Sequence, residues 1–401
     1  MAVKQTAGRD ALGEFAPKFA EINDDVLFGQ VWSREDKLSL RDRSLVTVVA
    51  LMAQGLTDES FRYHLLSAKK NGITREEIAE IVTHAAFYCG WPKAGVGGVP
   101  HGQGDLDGGG CQMILQETYT LANGIAIPKL GLGTWFIDNN KAAQAVCTAA
   151  ELGYRLIDTA QAYGNEWGVG EGIRTCGLKR EELFVASKVA AEHKTYEDAA
   201  RSIDETLEKM GLTYLDQMLI HSPQPWREFR AEKRYFQENR AVWRALEDAQ
   251  AAGKVRVIGV SNFLRDDLEN LLTGCRVRPA VNQLLLHIAG TDLPLLDYCT
   301  RQDIRVEAYS PIAHGEALKN PAITAMAEKY GVSVPQLCIR YVLQLGAVAL
   351  PKTADPGHMR SNAAVDFAIS PEDMETLRSM EHLTDYGDYN GFPVFSGKPL
   401  A

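Results

Sequence analysis

The sequence predicts an α/β protein: a (β/α)8 TIM barrel preceded by a small all-α domain. Three observations carry that expectation. From residue 113 onward, eight short apolar runs alternate with segments of helical period. Residues 10–95 show helical periodicity and no strand alternation. Between the two, residues 95–110 hold eight glycines in sixteen positions, a composition that sustains neither period. The expected domains are therefore residues 1–95, helical; 96–112, a glycine-rich linker; and 113–401, the barrel.

Composition narrows the function classes. The chain has 401 residues, 45% hydrophobic and 23% charged, which describes a globular protein of two domains. A formal net charge of −10 argues against a nucleic-acid partner, which requires clustered Lys and Arg. Residues 227–240 are rich in arginine but interleave glutamates, so they read as a solvated face. No apolar run approaches the roughly 20 residues that span a bilayer, and the polar first residues lack a signal-peptide core. The seven cysteines include no Cys-x-x-Cys pair, which predicts a reduced, cytoplasmic protein with no metal site.

The helical domain reads in order. Residues 41–54 carry Leu45, Val46, Val48, Val49, Leu51 and Met52 and stop at Gly55. Thr57 or Asp58 is the expected N-cap of a second helix, 59–71, which Gly72 terminates. Thr74 and Glu77 form a capping box that opens a third helix through Tyr88. The pattern Leu-Arg-Asp-Arg-Ser-Leu-Val-Thr, then His64-x-x-x-Ala68-x-x-x-Gly72-Ile-Thr-x-Glu-Glu-Ile, then Tyr88-Cys-Gly-Trp-Pro92, resembles the carboxymuconolactone decarboxylase family. That family's peroxidase-like branch carries a Cys-x-x-Cys four residues upstream of the matching histidine; here Thr57 and Ser60 stand there, so dithiol chemistry is not expected. His64 is the one candidate acid/base residue, with His84 and Cys89 behind it, and a histidine packed in a helix face is the simpler reading. The resemblance implies assembly through helical faces, so a homo-oligomer is expected. The alternative is a bifunctional enzyme whose first domain runs a decarboxylase- or isomerase-type reaction through His64.

The barrel opens with Asn123-Gly124 between alternating apolar residues, a hairpin signal. The apolar runs then end at Gly133, Ile157, Ser187, Ile220, Val260, Asn282, Ala308 and Leu350, with helical segments such as 142–152, 199–210 and 241–251 between them. Gly168-Val-Gly170-Glu-Gly172 has the wrong spacing for a dinucleotide fingerprint and lies in a helical segment. Just past the runs come Thr134 and Trp135, Asp158, Lys188, His221, Ser261 and Asn262, Gln283, Tyr309 and Lys352. In a parallel barrel these positions share the face that hosts active sites. A carboxylate and an ammonium at successive strand ends can meet and limit each other's burial cost. Tyr163, five residues past Asp158, can reach the same place.

Together, Gly-Leu-Gly-Thr-Trp135, Leu-Ile-Asp158-Thr-Ala-x-x-Tyr163-Gly-Asn-Glu, Ser-Lys188-Val, Leu-Ile-His221-Ser-Pro, Ile-Gly-Val-Ser261-Asn262-Phe and Leu-Pro-Lys352-Thr resemble the aldo-keto reductases. Among their branches, the bacterial diketogluconate-reductase-like members match best. The resemblance implies a catalytic tetrad of Asp158, Tyr163, Lys188 and His221 and a small carbonyl substrate. Tyr163 is then the general acid. A phenol ordinarily titrates near 10, and the expectation is that Lys188 depresses this value while Asp158 holds Lys188. His221 orients the carbonyl oxygen. The resemblance further implies NADP(H): Ser261, Asn262 and Gln283 on the nicotinamide carboxamide, Tyr309 stacked on its ring, and Lys352, Thr353 and Asn362 at the adenosine end. It adds cofactor contacts at Gly133, Thr134, Trp135, Asp158, Ser310 and His358. His358 stands where family members commonly carry arginine, and an imidazole grips phosphate less well, so NAD(H) is an alternate coenzyme. Trp135, His221 and Trp226 are expected against the substrate. The tail aromatics Tyr386, Tyr389, Phe392 and Phe395 either line the mouth or cover the barrel's flank. A non-catalytic binding barrel is the third reading; the complete tetrad speaks against it.

Overall fold

The computed structural model describes residue 9 and residues 16–54, 59–89 and 113–400. The expected linker at 96–112 and the N-cap at Thr57 or Asp58 lie outside the described residues, as do the side chains of Ser60 and Cys89. The chain separates into two compact units, Met1–Cys111 and Gln112–Ala401.

In the first unit, α1 (Pro17–Glu21) runs on into a π-helical stretch, Ile22–Trp32, followed by α2 (Leu40–Gln54), α3 (Glu59–Lys70) and α4 (Arg75–Cys89). The capping box forms: the Thr74 amide donates to Glu77 Oε2 at 2.9 Å and the Glu77 amide to Thr74 Oγ1 at 3.2 Å. After α3 the chain turns at Gly72 (φ 87°), where the Ile73 amide reaches back to the Ala68 carbonyl, a hydrogen bond that left-handed glycine makes available. Val48, Met52, Phe61, Leu65, Ala68, Ile73, Ile78 and Ala85 form the core. Several large apolar side chains face outward instead, among them Phe19, Val26, Val46, Phe87 and Tyr88.

The second unit opens with a hairpin, β1 (Thr118–Thr120) and β2 (Ala126–Pro128), whose turn holds Gly124 at φ 81°. Eight parallel strands follow: β3 (Gly131–Gly133), β4 (Leu156–Asp158), β5 (Phe184–Val189), β6 (Leu215–Ile220), β7 (Val255–Ser261), β8 (Val281–Leu285), β9 (Arg305–Tyr309) and β10 (Val348–Leu350). Each pairs with the next in sequence. Bridges from Leu130 to Ala349 and from Gly133 to Lys352 join first to last, and the Gly133 amide donates to the Pro351 carbonyl at 3.0 Å. The sheet thus closes as the eight apolar runs predicted.

Helices run outside the strands: α5 (Asn139–Glu151), α6 (Glu166–Thr175), α7 (Tyr196–Met210), α8 (Phe236–Ala251), α9 (Arg265–Leu272), α10 (Leu293–Arg301), α11 (Pro321–Lys329), α12 (Val334–Gln344) and α13 (Pro356–Ala363). The Gly168–Gly170–Gly172 series lies inside α6. A Cβ on Gly168 would overlap the Asn139 carbonyl, and one on Gly170 would overlap the Met210 backbone. These glycines let helices approach closely, which accounts for the motif without a nucleotide.

Leu121 and Ile127 of the hairpin pack with Leu156, Phe184 and Val348, which open β4, β5 and β10 at the strands' N-terminal end, and with Leu219, Val257 and Leu350 farther along their strands. That end is filled with apolar side chains. The polar residues gather at the other end, and the strands run farther into them than the apolar runs suggest. Asp158 pairs with Gly133 and Ala186, and Lys188 with Leu219, so both sit within strands rather than past them. Ser261, Gln283 and Tyr309 are likewise strand residues. Ladder hydrogen bonds continue as long as the buried groups satisfy one another, which hydropathy alone does not register. Among the described residues no helix is long and apolar enough to cross a membrane, and no cluster of side chains could hold a metal ion.

Candidate active site

Lys188 is wholly buried, and its position on β5 brings it to Asp158 on the neighbouring β4. Its Nζ donates to Asp158 Oδ1 at 2.8 Å and Oδ2 at 2.7 Å, to the Thr159 carbonyl at 2.9 Å, and to the Tyr163 hydroxyl at 3.3 Å. Burial alone would lower the ammonium's pKa, but Asp158 and Tyr163 outweigh it and the pKa ends above its ordinary value. Tyr163 closes a single 3-10 turn, Gln161–Tyr163, just after β4.

One expectation needs correction here. Lys188 does pull the Tyr163 pKa down, but burial pushes it up harder, so the phenol titrates above its usual value. A neutral hydroxyl in a dry site loses more by ionising than one nearby ammonium returns. Tyr163 is therefore a protonated group at neutral pH, held against a cation that stabilises its conjugate base.

His221 follows β6 directly, its amide bound to the Val189 carbonyl at 3.1 Å. Burial, then Lys188, drive its pKa well below 6.5, so the ring is neutral. Its edge meets Tyr163 at 5.7 Å and Trp226 at 5.1 Å between ring centroids, and its buried Nδ1 has no partner.

Tyr163 and His221 open into a cleft of about 220 Å³ lined by Trp135, Trp226, Ser261, Asn262, Gln283 and Tyr309, with Phe392, Pro393, Val394 and Leu400 of the tail. Asn262 stands at φ 62°; its Nδ2 holds the His221 carbonyl at 3.0 Å and Ser261 Oγ at 3.1 Å, while its Oδ1 accepts from the Tyr309 hydroxyl at 2.8 Å. Gln283 donates to Asp158 Oδ1 at 2.9 Å. Thr134 is committed to the fold, its amide and hydroxyl both on the Asp158 carbonyl. Gly133 and Lys352 sit side by side at the closure of the barrel, and Ser310 (φ 51°) follows β9.

The remaining expected cofactor residues lie on the segment after β10. Thr353 is buried and accepts from the Asp355 amide at 3.0 Å; Lys352 is exposed; Asn362 is buried in α13. His358 is exposed in the first turn of α13, its amide capped by Asp355 Oδ1 at 2.8 Å. That bond holds the Asp355 carboxylate below its usual range.

The tail aromatics divide. Phe392 lines the cleft and meets the Trp135 ring at 5.1 Å. Tyr386 is buried, its hydroxyl on His287 Nε2 at 2.8 Å, and Phe395 packs against it at 4.8 Å. The Leu400 amide is tied to the Trp226 carbonyl at 2.8 Å. Three residues absent from the sequence reading also stand out. Gln217 and Glu307 lie beneath the tetrad, and Lys194, pulled to about 7 by burial, donates to the Ser222 carbonyl just past His221. The alternation Glu307–Ala308–Tyr309 along β9 was the available signal for Glu307.

In the first unit, His64 is half-buried, with Trp32 stacked at 6.3 Å and Tyr63 edge-on at 5.2 Å. Burial lowers its pKa, and its Nδ1 is buried without a partner among the described residues. His84 is exposed beside Tyr88.

Residues 129–382 match the model of the aldo/keto reductase family, and residues 17–96 match that of the carboxymuconolactone decarboxylase family. A glyoxal reductase from Bacillus subtilis is 41% identical over 268 residues, covering 66% of this chain and 93% of the relative. A morphine 6-dehydrogenase from Pseudomonas putida is 38% identical over 278 residues, covering 65% and 90%. Among solved structures, an aldo/keto reductase from Brucella melitensis superposes with a TM-score of 0.61 at 35% identity, covering 65% of this chain and 98% of its own. A Bombyx mori aldo-keto reductase in complex with NADP does so at 0.61 and 29% identity, covering 71% and 98%. The family model spans more than half of the chain, which therefore belongs to the aldo/keto reductase family, with a carboxymuconolactone decarboxylase-family domain at its N-terminal side.

Proposed function

We propose that this enzyme reduces small aldehydes, ketones or keto-sugars to alcohols with NADP(H), with Tyr163 as the general acid. The observation that carries the reading is the Asp158–Lys188–Tyr163 chain of contacts, which ends beside a neutral His221 in one apolar cleft. The lining supports a nicotinamide: Ser261, Asn262 and Gln283 line the same cleft as the flat ring of Tyr309. When bound, the coenzyme supplies hydride to the carbonyl carbon. The carbonyl oxygen then carries the displaced electron pair and takes the proton from the Tyr163 hydroxyl. Lys188 compensates the tyrosinate left behind, and Asp158 keeps Lys188 in place. His221, neutral, donates a hydrogen bond that fixes the carbonyl oxygen within reach of Tyr163.

The walls of Trp135, Trp226 and Phe392 favour compact, weakly charged carbonyls, in keeping with the glyoxal named for the Bacillus relative. Lys352 and Thr353 support binding of a 2′-phosphate, while His358 and the Asp355 carboxylate weaken it, so NAD(H) serves as the lesser coenzyme. Tyr163→Phe tests the assignment: turnover of glyoxal with NADPH should fall by about 10²–10⁴-fold with coenzyme affinity retained. Turnover near that of the wild type would reject it. A higher kcat/KM with NADH than with NADPH would reject the coenzyme preference.

For the N-terminal unit we propose assembly of copies rather than a second reaction. The support is its outward apolar side chains: Phe87 is 73% exposed and Tyr88 79%. His64, with aromatic neighbours and an unpartnered Nδ1, offers less to a reaction. Replacing Phe87 and Tyr88 by Glu should lower the mass in light scattering to that of a monomer while reductase turnover persists; an unchanged mass rules this out.

A further inference from the structure

Beneath the tetrad lies a carboxyl group that the proposed reaction does not use. Glu307 sits in the middle of β9, 1% exposed, and its two oxygens each accept one neutral donor: Gln217 Nε2 at 2.8 Å and Gln283 Nε2 at 2.8 Å. The same Gln283 Nε2 donates to Asp158 Oδ1 at 2.9 Å, so one amide bridges two carboxyl groups. Lys188, the only ammonium in contact with this cluster among the described residues, makes its two carboxylate bonds to Asp158.

We propose that Glu307 is a positioning residue for Tyr163: it holds Asp158 through Gln283, and its charge sets how readily Tyr163 releases a proton. This inference rests on the assignment of Tyr163 as the acid. With Glu307 neutral, Asp158 and Lys188 cancel, and ionising Tyr163 leaves one net negative charge. With Glu307 ionised, the same step leaves two net negative charges in a buried region, so Tyr163 is the weaker acid.

Two features indicate that both states are accessible. Gln217 Oε1 is buried with no partner among the described residues; rotating that amide about its axis turns the oxygen toward Glu307, where it accepts from a protonated carboxyl. The orphan is then satisfied in one protonation state and the Nε2 donor serves the other. Burial, together with Asp158, also pushes the Glu307 carboxyl up to about 7, against the hydrogen bonds from Gln283 and Gln217 and the charge of Lys188. The charged groups facing it are Asp158 from β4 and Lys188 from β5; Gln217 on β6 and Gln283 on β8 are neutral, and its register partner on β10, Val348, is apolar. The transition belongs to the whole cluster.

The sign follows. Carbonyl reduction should be fast while Glu307 is protonated and should slow as pH rises through about 7. Full-length Glu307→Gln, a neutral isostere, should keep its acid-side rate into alkaline solution. Its ratio of kcat at pH 6 to kcat at pH 8, with glyoxal and NADPH, should be smaller than the wild-type ratio by roughly an order of magnitude. Gln217→Glu, which sets two carboxyl groups competing for one proton, should move the inflection to higher pH and serves if Glu307→Gln does not fold. Lys194 titrates in the same range, so Lys194→Met is the control and should keep the inflection. A Glu307→Gln profile like the wild type's, or an inflection lost in Lys194→Met instead, overturns the inference. Full turnover by Tyr163→Phe would remove the parent assignment and this one together, whereas an unchanged Glu307→Gln profile removes this one alone.

Discussion

The two ends of the barrel are built from the same strands, yet they solve opposite problems. On β4, Leu156 packs with Ile127 of the hairpin, and two residues on, Asp158 receives Lys188. On β5, Phe184 lies in the apolar end and Lys188 in the polar one. Both ends are buried, so exclusion of water does not distinguish them. What differs is how each interior is satisfied: one by dispersion and apolar burial, the other by a network of donors and acceptors that leaves Gln217 Oε1 and His221 Nδ1 open among the described residues. The first is robust to small changes in charge elsewhere, and the second is not.

Substitutions at the two ends should therefore fail in different ways. The largest effect expected is from Lys188→Met. Asp158 loses its cation and Tyr163 the charge that stabilises its conjugate base, so turnover should drop by about 10²–10⁴-fold. The same change should cost on the order of 3–5 kcal/mol in denaturant unfolding, because a buried carboxylate is left unpaired. Retained turnover would break the comparison at its stronger side. Next is Phe184→Ala at the apolar end, where a cavity should cost about 3–5 kcal/mol. Assayed well below its melting temperature, this variant should keep near-normal kcat; a collapse of kcat would show that the ends are not separable.

The smallest effect concerns pH. The Glu307 carboxyl titrates near 7 in the fold, above its ordinary 4.5, so the fold binds this proton more tightly than the unfolded chain. Its contribution is fully present below the ordinary value, is lost as pH rises to about 7, and is constant beyond. Glu307→Gln should flatten that part of the melting-temperature profile between pH 5 and 8, and an unaltered slope would place the titration elsewhere.

Legibility in the sequence followed the same division. The strand-and-helix alternation and the linked residues Asp158, Tyr163, Lys188 and His221 could be read because charged or hydroxylated residues interrupt apolar runs. Glu307 stands inside an apolar run and not past its end, so the residues that follow each run do not reveal it. The net direction of the Tyr163 pKa is not legible for a different reason: adjacent charges can be inferred from a motif, but depth of burial is set by chain segments far away. The tail illustrates this too. Nothing in the spacing of Tyr386, Phe392 and Phe395 says that the first binds His287 while the second faces the cleft. In the helical unit, by contrast, the Thr74–Glu77 box and the Gly72 stop are local devices and were readable as such.

The stopper formed by the hairpin bears on proton traffic. Among the described residues, Leu121, Ile127 and their neighbours fill the far end, and Lys188 is wholly buried. In the proposed reaction, the proton that Tyr163 gives up is replaced through the same mouth by which the alcohol leaves. On that proposal, restoring the acid is tied to emptying the cleft: until product clears the opening, the next turnover lacks both a vacancy and a proton.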